Sequence, residues 1–138
     1  MWRVIQTKEV FHSPYLEVNK DMVELPNGKV IDDFFTVSCR DAAAVVALTD
    51  NGDIVLERVY RHACKDYMIE LPAGTFEKDE NDGLKVAQRE LLEETGYVSE
   101  EWTYLGGTRE CPARLTSRIH LYLANNCYKK DDQHLGNH

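Results

Sequence analysis

The sequence predicts an α/β domain: a mixed, strongly twisted sheet with one short helix on a face. Three observations carry that reading. Turn-linked apolar segments fill the first half, a continuous apolar run at 42–49 has the length of a fully buried strand, and residues 83–95 hold the one convincing helical period. Residues 1–128 read as a single domain in which 1–40 form an N-terminal hairpin, and 129–138 as a polar tail.

Each element has a local cause. Residues 15–24 carry Leu16, Val18, Met22 and Val23, and Asn27-Gly28 follows, a dipeptide that suits the left-handed backbone of a tight hairpin turn. Residues 30–38, with Phe34, Phe35 and Val37, make the return strand. The run 42–49 is next, turned by Asp50-Asn51-Gly52-Asp53 into a partner strand at 54–60, which predicts a second hairpin. Residues 67–71 form a short strand leading to Pro72-Ala73-Gly74, and a polar loop spans 77–82. Asn81 or Asp82 can cap the helix at 83–95, and Gly96 stands where a left-handed terminal residue is wanted. Residues 102–108 and 119–124 are further strands, joined by a loop at 109–118.

Composition excludes several classes. With 43% apolar and 29% charged residues the chain is globular rather than disordered. No apolar run approaches the roughly 20 residues needed to span a bilayer, and the N-terminus turns polar too early for a secretory signal, so a cytoplasmic protein is expected. Cys39, Cys64, Cys111 and Cys127 lack zinc or disulfide spacing and read as reduced, mostly buried thiols. A net charge of −8 disfavours nucleic acid and anionic membranes as partners. A phosphate ester remains possible where divalent cations lie between the two negative groups.

The helix carries the chemistry. Leu84, Ala87, Leu91 and Leu92 fall on one side and are expected to pack on the sheet, while Glu90, Glu93 and Glu94 share another. Residues three and four apart are neighbours, so the three carboxylates repel one another by a few tenths of a kcal/mol per pair. They also lie toward the negative end of the helix dipole. Hard divalent cations would relieve both penalties. Arg89, one turn before Glu93, can hold a carboxylate in place. A solvated acidic face is the plain alternative, and the flanking residues decide against it.

Gly74-Thr75-Phe76-Glu77-Lys78-Asp79-Glu80, a polar connector, then Arg89-Glu90-Leu91-Leu92-Glu93-Glu94-Thr95-Gly96-Tyr97 strongly resembles the Nudix box. The second half matches at every specified position. In the first half eight residues, 81–88, separate Glu80 from Arg89, one more than the pattern has, and the extra residue is expected ahead of the helix. Glu70-Leu71-Pro72-Ala73-Gly74, the strand ending in Tyr60-Arg61 and the loop 111–120 resemble the ADP-ribose and nucleoside-diphosphate-sugar pyrophosphatase branch. Two features depart from that branch: residues 115–118 contain no Glu where its members carry a catalytic one in the closing loop, and the chain stops shortly after Ala124, short of the usual C-terminal helix.

The resemblance implies a Nudix-like α/β/α sandwich and hydrolysis of a nucleoside diphosphate linked to another group, ADP-ribose or another NDP-sugar, giving NMP and a sugar phosphate. It implies Mg²⁺, with Mn²⁺ as substitute, held by Glu90, Glu93, Glu94 and the carbonyl of Ala73, with Arg89 orienting the carboxylates. It further implies substrate contacts from Arg61, Gly74, Arg114 and Arg118, and a homodimer in which the N-terminal hairpin serves the partner's site. Glu93 or a metal-bridging hydroxide would be the base. Phe34, Phe35 and Tyr15 read as core aromatics, with base stacking the alternative, His120 as a packed residue, and His12 and His62 as lacking partners. The competing functions are a pyrophosphohydrolase acting on a dinucleotide or NTP, and a catalytically weak Nudix-fold nucleotide-binding module.

Overall fold

The computed structural model describes residues 1–130. In chain order the elements are β1 (Arg3–His12), β2 (Leu16–Glu24), β3 (Val30–Cys39), β4 (Ala42–Thr49), β5 (Ile54–Val55), β6 (Glu57–Arg61), β7 (Asp66–Glu70), β8 (Ala73–Thr75), α1 (Gly83–Thr95), β9 (Tyr97–Val98), β10 (Glu101–Thr108) and β11 (Ile119–Lys129). They fall into two compact units, one of 1–40 with 109–118, the other containing 41–108 and 119–130.

The first unit is an antiparallel sheet in the order β1-β2-β3. The Asn-Gly turn joins β2 to β3, with Gly28 at φ 80° and its N–H donating to the Leu25 carbonyl at 2.9 Å. The hairpin expected within 1–40 is present as β2–β3, inside a three-stranded sheet. Its additional strand, β1, pairs with β2 through register shifts between Val4 and Gln6 and between Glu9 and Phe11. Such bulges break the period-two pattern that would have marked β1 as a strand. Residues 109–118 belong to the same unit: the Val37 N–H donates to the Arg114 carbonyl at 2.8 Å, and the Thr116 N–H to the Val37 carbonyl at 3.0 Å.

The second unit holds the mixed sheet, β10-β11-β4-β5, in which β11 and β4 are parallel and the other pairs antiparallel. β8 pairs antiparallel with the start of β4, and β9 pairs with the end of β11. The strand expected at 54–60 divides at Leu56: β5 stays with β4, whereas β6 turns away to pair with β7. β11 runs past Ala124 through a register shift before Cys127, with Asn126 at φ 51°. Lys129, assigned from sequence to the tail, thus ends a strand; 131–138 lie outside the described residues.

One α-helix is present among the described residues, so the second helical layer of an α/β/α sandwich is not among them. α1 is capped as expected. The Asp82 carboxylate accepts from the N–H groups of Leu84 at 3.1 Å and Lys85 at 3.4 Å, and Gly96 at φ 74° donates to the Leu92 carbonyl at 2.8 Å. Its core face differs in detail from expectation. Val86, Ala87 and Leu91 are fully buried, while Leu84 and Leu92 are only half-buried. Val86, Ala87 and Leu91 pack with Ala43, Val45 and Ala47 of β4 and with Ala124 and Cys127 of β11. Small residues on the central strand let the helix approach the sheet closely.

The thiols are free, as expected, but Cys64 and Cys111 are exposed and only Cys127 is buried, because the first two lie in turns rather than in strands. Among the described residues no helix is long and apolar enough to cross a membrane.

Candidate active site

The segment preceding the helix is fastened to β4. The Val45 N–H donates to the Pro72 carbonyl at 2.9 Å and the Phe76 N–H to the Asp41 carbonyl at 2.9 Å, and Gly74 pairs with Ala43 in the ladder. Two helix carboxylates seat on this fixed backbone. Glu94 accepts the Ala73 N–H at 2.9 Å. Glu90 lies against Gly74 so closely that a Cβ there would fall 2.0 Å from its carboxyl carbon and from Oε1. A side chain at 74 would displace the Glu90 carboxylate, the free end of a flexible side chain, from this seat.

Arg89 ties the acidic groups together. Its Nη1 donates to Glu90 Oε1 at 2.7 Å and to Glu93 Oε2 at 3.2 Å; its Nε and Nη2 donate to the two oxygens of Glu80 at 3.1 and 3.0 Å. Glu80 is further held by the Glu77 N–H at 2.7 Å. Glu80, which precedes the helix, thus reaches Arg89 across the connector 81–88. The Glu80 carboxyl titrates below its usual range because of Arg89 first and the Glu77 N–H second, and Arg89 is held more firmly protonated by Glu80.

The carboxylates differ in environment. Glu90 is buried and Glu93 exposed. Burial pushes Glu90 up, opposed by Arg89. Glu94 is pushed up to about 7, by burial first and by the charge of Glu57 second. The sequence does not single out Glu57. It is 8% exposed, its Oε1 is buried without a hydrogen-bond partner, and burial raises it above the ordinary carboxylate range. Strand periodicity was the available signal, since it places Glu57 on one face of β6 with Arg61. Glu70 stands opposite Glu57 in the ladder and receives Arg61 Nε at 3.1 Å to both its oxygens. The Arg61 bond lowers Glu70.

Arg61, Ala73, Gly74, Arg89, Glu90, Glu93 and Glu94 thus lie in one unit, whereas Arg114 and Arg118 belong to the other. There the Arg114 guanidinium lies 5.1 Å from the centre of the Phe34 ring. Phe34 also meets Trp2 edge-on at 5.6 Å, while Tyr15 and Phe35 are exposed, so these aromatics do not form a core. His120 is packed as expected, with Nε2 3.2 Å from Asp41, Nδ1 3.3 Å from the Tyr104 hydroxyl, and its ring on Phe76. His12 has partners after all, Glu9 at 3.8 Å and Glu17 at 3.9 Å, brought together by the β1–β2 register; His62 meets Tyr60 edge-on.

Among the described residues Glu9, His12 and Glu17 are the group whose ligand atoms lie within 4.8 Å of one another; the box carboxylates are not drawn that close. Their chemistry nonetheless fits a hard divalent cation. The donors are carboxylate oxygens beside a backbone turn, and one buried oxygen, Glu57 Oε1, has no protein partner.

Helix carboxylates seated on a backbone strand and braced by one arginine define a carboxylate-box α/β domain. Comparison with known proteins specifies the class. Residues 39–137 match the NUDIX domain, and residues 2–37 match the nucleoside diphosphate sugar hydrolase N-terminal domain. The chain is 36% identical over 130 residues to a methanol dehydrogenase activator of Bacillus methanolicus, covering 94% of this chain and 69% of that protein. It is 33% identical over 122 residues to an ADP-ribose pyrophosphatase of Bacillus subtilis (strain 168), covering 88% of this chain and 65% of that protein. An ADP-ribose pyrophosphatase of Mycobacterium tuberculosis is 28% identical over 123 residues, 89% of this chain and 59% of its own length. The fold matches a crystal structure of an ADP compounds hydrolase with a TM-score of 0.80 at 21% identity, over 96% of this chain and 71% of that one. The chain belongs to the Nudix family.

Proposed function

We propose that the chain is a metal-dependent pyrophosphohydrolase that splits a nucleoside diphosphate joined to a sugar, ADP-ribose first among the candidates, into NMP and a sugar phosphate. The observation that carries this reading is the seating of Glu90 and Glu94 together on the Ala73–Gly74 backbone. Among the described residues Glu94 has no ion pair, and burial first and Glu57 second push its carboxyl up to about 7, so its ionised form would gain from a cation beside it. The names of the Bacillus subtilis and Mycobacterium tuberculosis relatives point to ADP-ribose, and the matched N-terminal domain to nucleoside diphosphate sugars.

Glu90, Glu94 and the Ala73 carbonyl would hold Mg²⁺ or Mn²⁺, with Glu93 as a shared ligand or as the base. When bound, such a cation neutralises the charge of the diphosphate and acidifies the attacking water. Arg89 keeps Glu90 and Glu93 in their rotamers and is itself fixed by Glu80. Arg61 spends Nε and Nη2 on Glu70, which leaves Nη1 for a diphosphate oxygen. We place the working form as a homodimer built through 1–40. Among the described residues Val23 is the one buried hydrophobic side chain of that segment, while Trp2, Val4, Ile5, Val10 and Phe11 are exposed.

A panel of ADP-ribose, other NDP-sugars, a dinucleotide and NTPs, assayed with Mg²⁺ or Mn²⁺, tests the reading. ADP-ribose or an NDP-sugar is expected to give the highest kcat/KM, and Glu94→Gln to lower kcat roughly a hundredfold or more. Parent-like turnover by the Glu94→Gln protein would remove the metal assignment.

A further inference from the structure

Glu57 plays no part in the box. It lies on β6, a strand that pairs with β7. It is 8% exposed and its Oε1 is fully buried without any hydrogen-bond partner. Leaving a charged carboxylate oxygen unsatisfied in a protein interior is costly, and such groups are normally paired, hydrogen-bonded or bound to a cation. Arg61, the cation on the same strand face, is engaged by Glu70 instead. Every other acidic member of the site has a protein donor: Glu90 and Glu93 have Arg89, Glu80 has Arg89 and the Glu77 N–H, and Glu94 has the Ala73 N–H. Glu57 feels the charges of Arg61 first, then of Glu70 and Glu90, and its own charge raises Glu94, so it is a neighbour of the helix carboxylates although Arg61 gives it no hydrogen bond.

We infer that Glu57 is a divalent-cation ligand supplied by the sheet, facing Glu90 and Glu94 across the site. This rests on the function proposed above and adds to it a donor from outside the helix. Its chemistry is consistent with the rest of the set: a carboxylate oxygen presented on a rigid strand suits a hard cation.

Mn²⁺ binding to the full chain, followed by the electron paramagnetic resonance of the free ion at neutral pH without substrate, tests the inference. Glu57→Gln keeps the size of the side chain and removes its charge. It is expected to bind Mn²⁺ at least tenfold more weakly than the parent. Its melting temperature in EDTA is expected to match or exceed the parent's, because the unpaired buried charge is gone, and the rise that Mn²⁺ confers is expected to shrink. Should Glu57→Gln not fold in EDTA, Glu57→Asp decides, as it keeps the charge but withdraws it by one methylene; weaker binding than the parent is expected. Parent affinity in either folded variant, with binding lost in Glu94→Gln, overturns the role of Glu57 and leaves the proposed function standing. A parent that takes up no Mn²⁺ overturns both.

Discussion

Glu94 illustrates how burial and charge make a side chain responsive to pH. Its carboxyl is pushed from an ordinary 4.5 to about 7, by burial first and then by Glu57, against the Ala73 N–H that favours the ionised form. A raised carboxyl means that the metal-free fold prefers the proton. The stability from this group is therefore fully present below pH 4.5 and is lost as pH rises through about 7. Glu80 and Glu70 act in the opposite sense, since both are lowered by arginines: their contribution is present above 4.5 and is lost as pH falls through their folded values. Glu94→Gln isolates the first effect. In EDTA its melting temperature is expected to fall less than the parent's between pH 5 and pH 8; equal slopes would show that Glu94 titrates normally. Gly74→Ala is expected to displace the Glu90 carboxylate, since the new Cβ would meet it at 2.0 Å, and to weaken Mn²⁺ binding about tenfold or more, as calorimetry would show. The helix carboxylates and Arg89 were legible because helical spacing alone makes them neighbours. Glu57 was not, because its significance arises only when β6 is folded beside the helix.

At the scale of elements, α1 is specified almost entirely by its ends. Asp82 satisfies two N–H groups of the first turn and Gly96 adopts the left-handed conformation that ends the last. Asp82→Ala is expected to cost about 1 kcal/mol, read as a lower denaturant midpoint with unchanged slope. Gly96→Ala forces a Cβ into φ 74° and is expected to cost a similar amount, about 1 kcal/mol. These boundaries could be read from sequence because caps are local chemistry. The strands were less legible where pairing is decided at long range. β1 is interrupted by two bulges, and β5 and β6 are one nearly continuous extended segment that the fold assigns to two different partners. β8, at three residues, is a strand only because β4 offers it a ladder.

For the molecule as a whole, residues 2–37 and 39–137 match separate domain families, and the contacts of the described residues divide near the same place. The N-terminal sheet buries little apolar surface of its own, which favours a second copy as its cover. Multi-angle light scattering is expected to give twice the 15.9 kDa chain mass; a monomer at working concentration would reject the dimer. The chain spans 69%, 65% and 59% of the lengths of the three relatives described above. The central claim concerns chemistry at one box, and ³¹P NMR of ADP-ribose incubated with the purified chain tests it most directly. With Mg²⁺ the diphosphate resonances are expected to give way to two phosphomonoester signals, and with EDTA to persist. Resonances that persist in Mg²⁺, or that disappear equally in EDTA, would contradict a cation-dependent hydrolase.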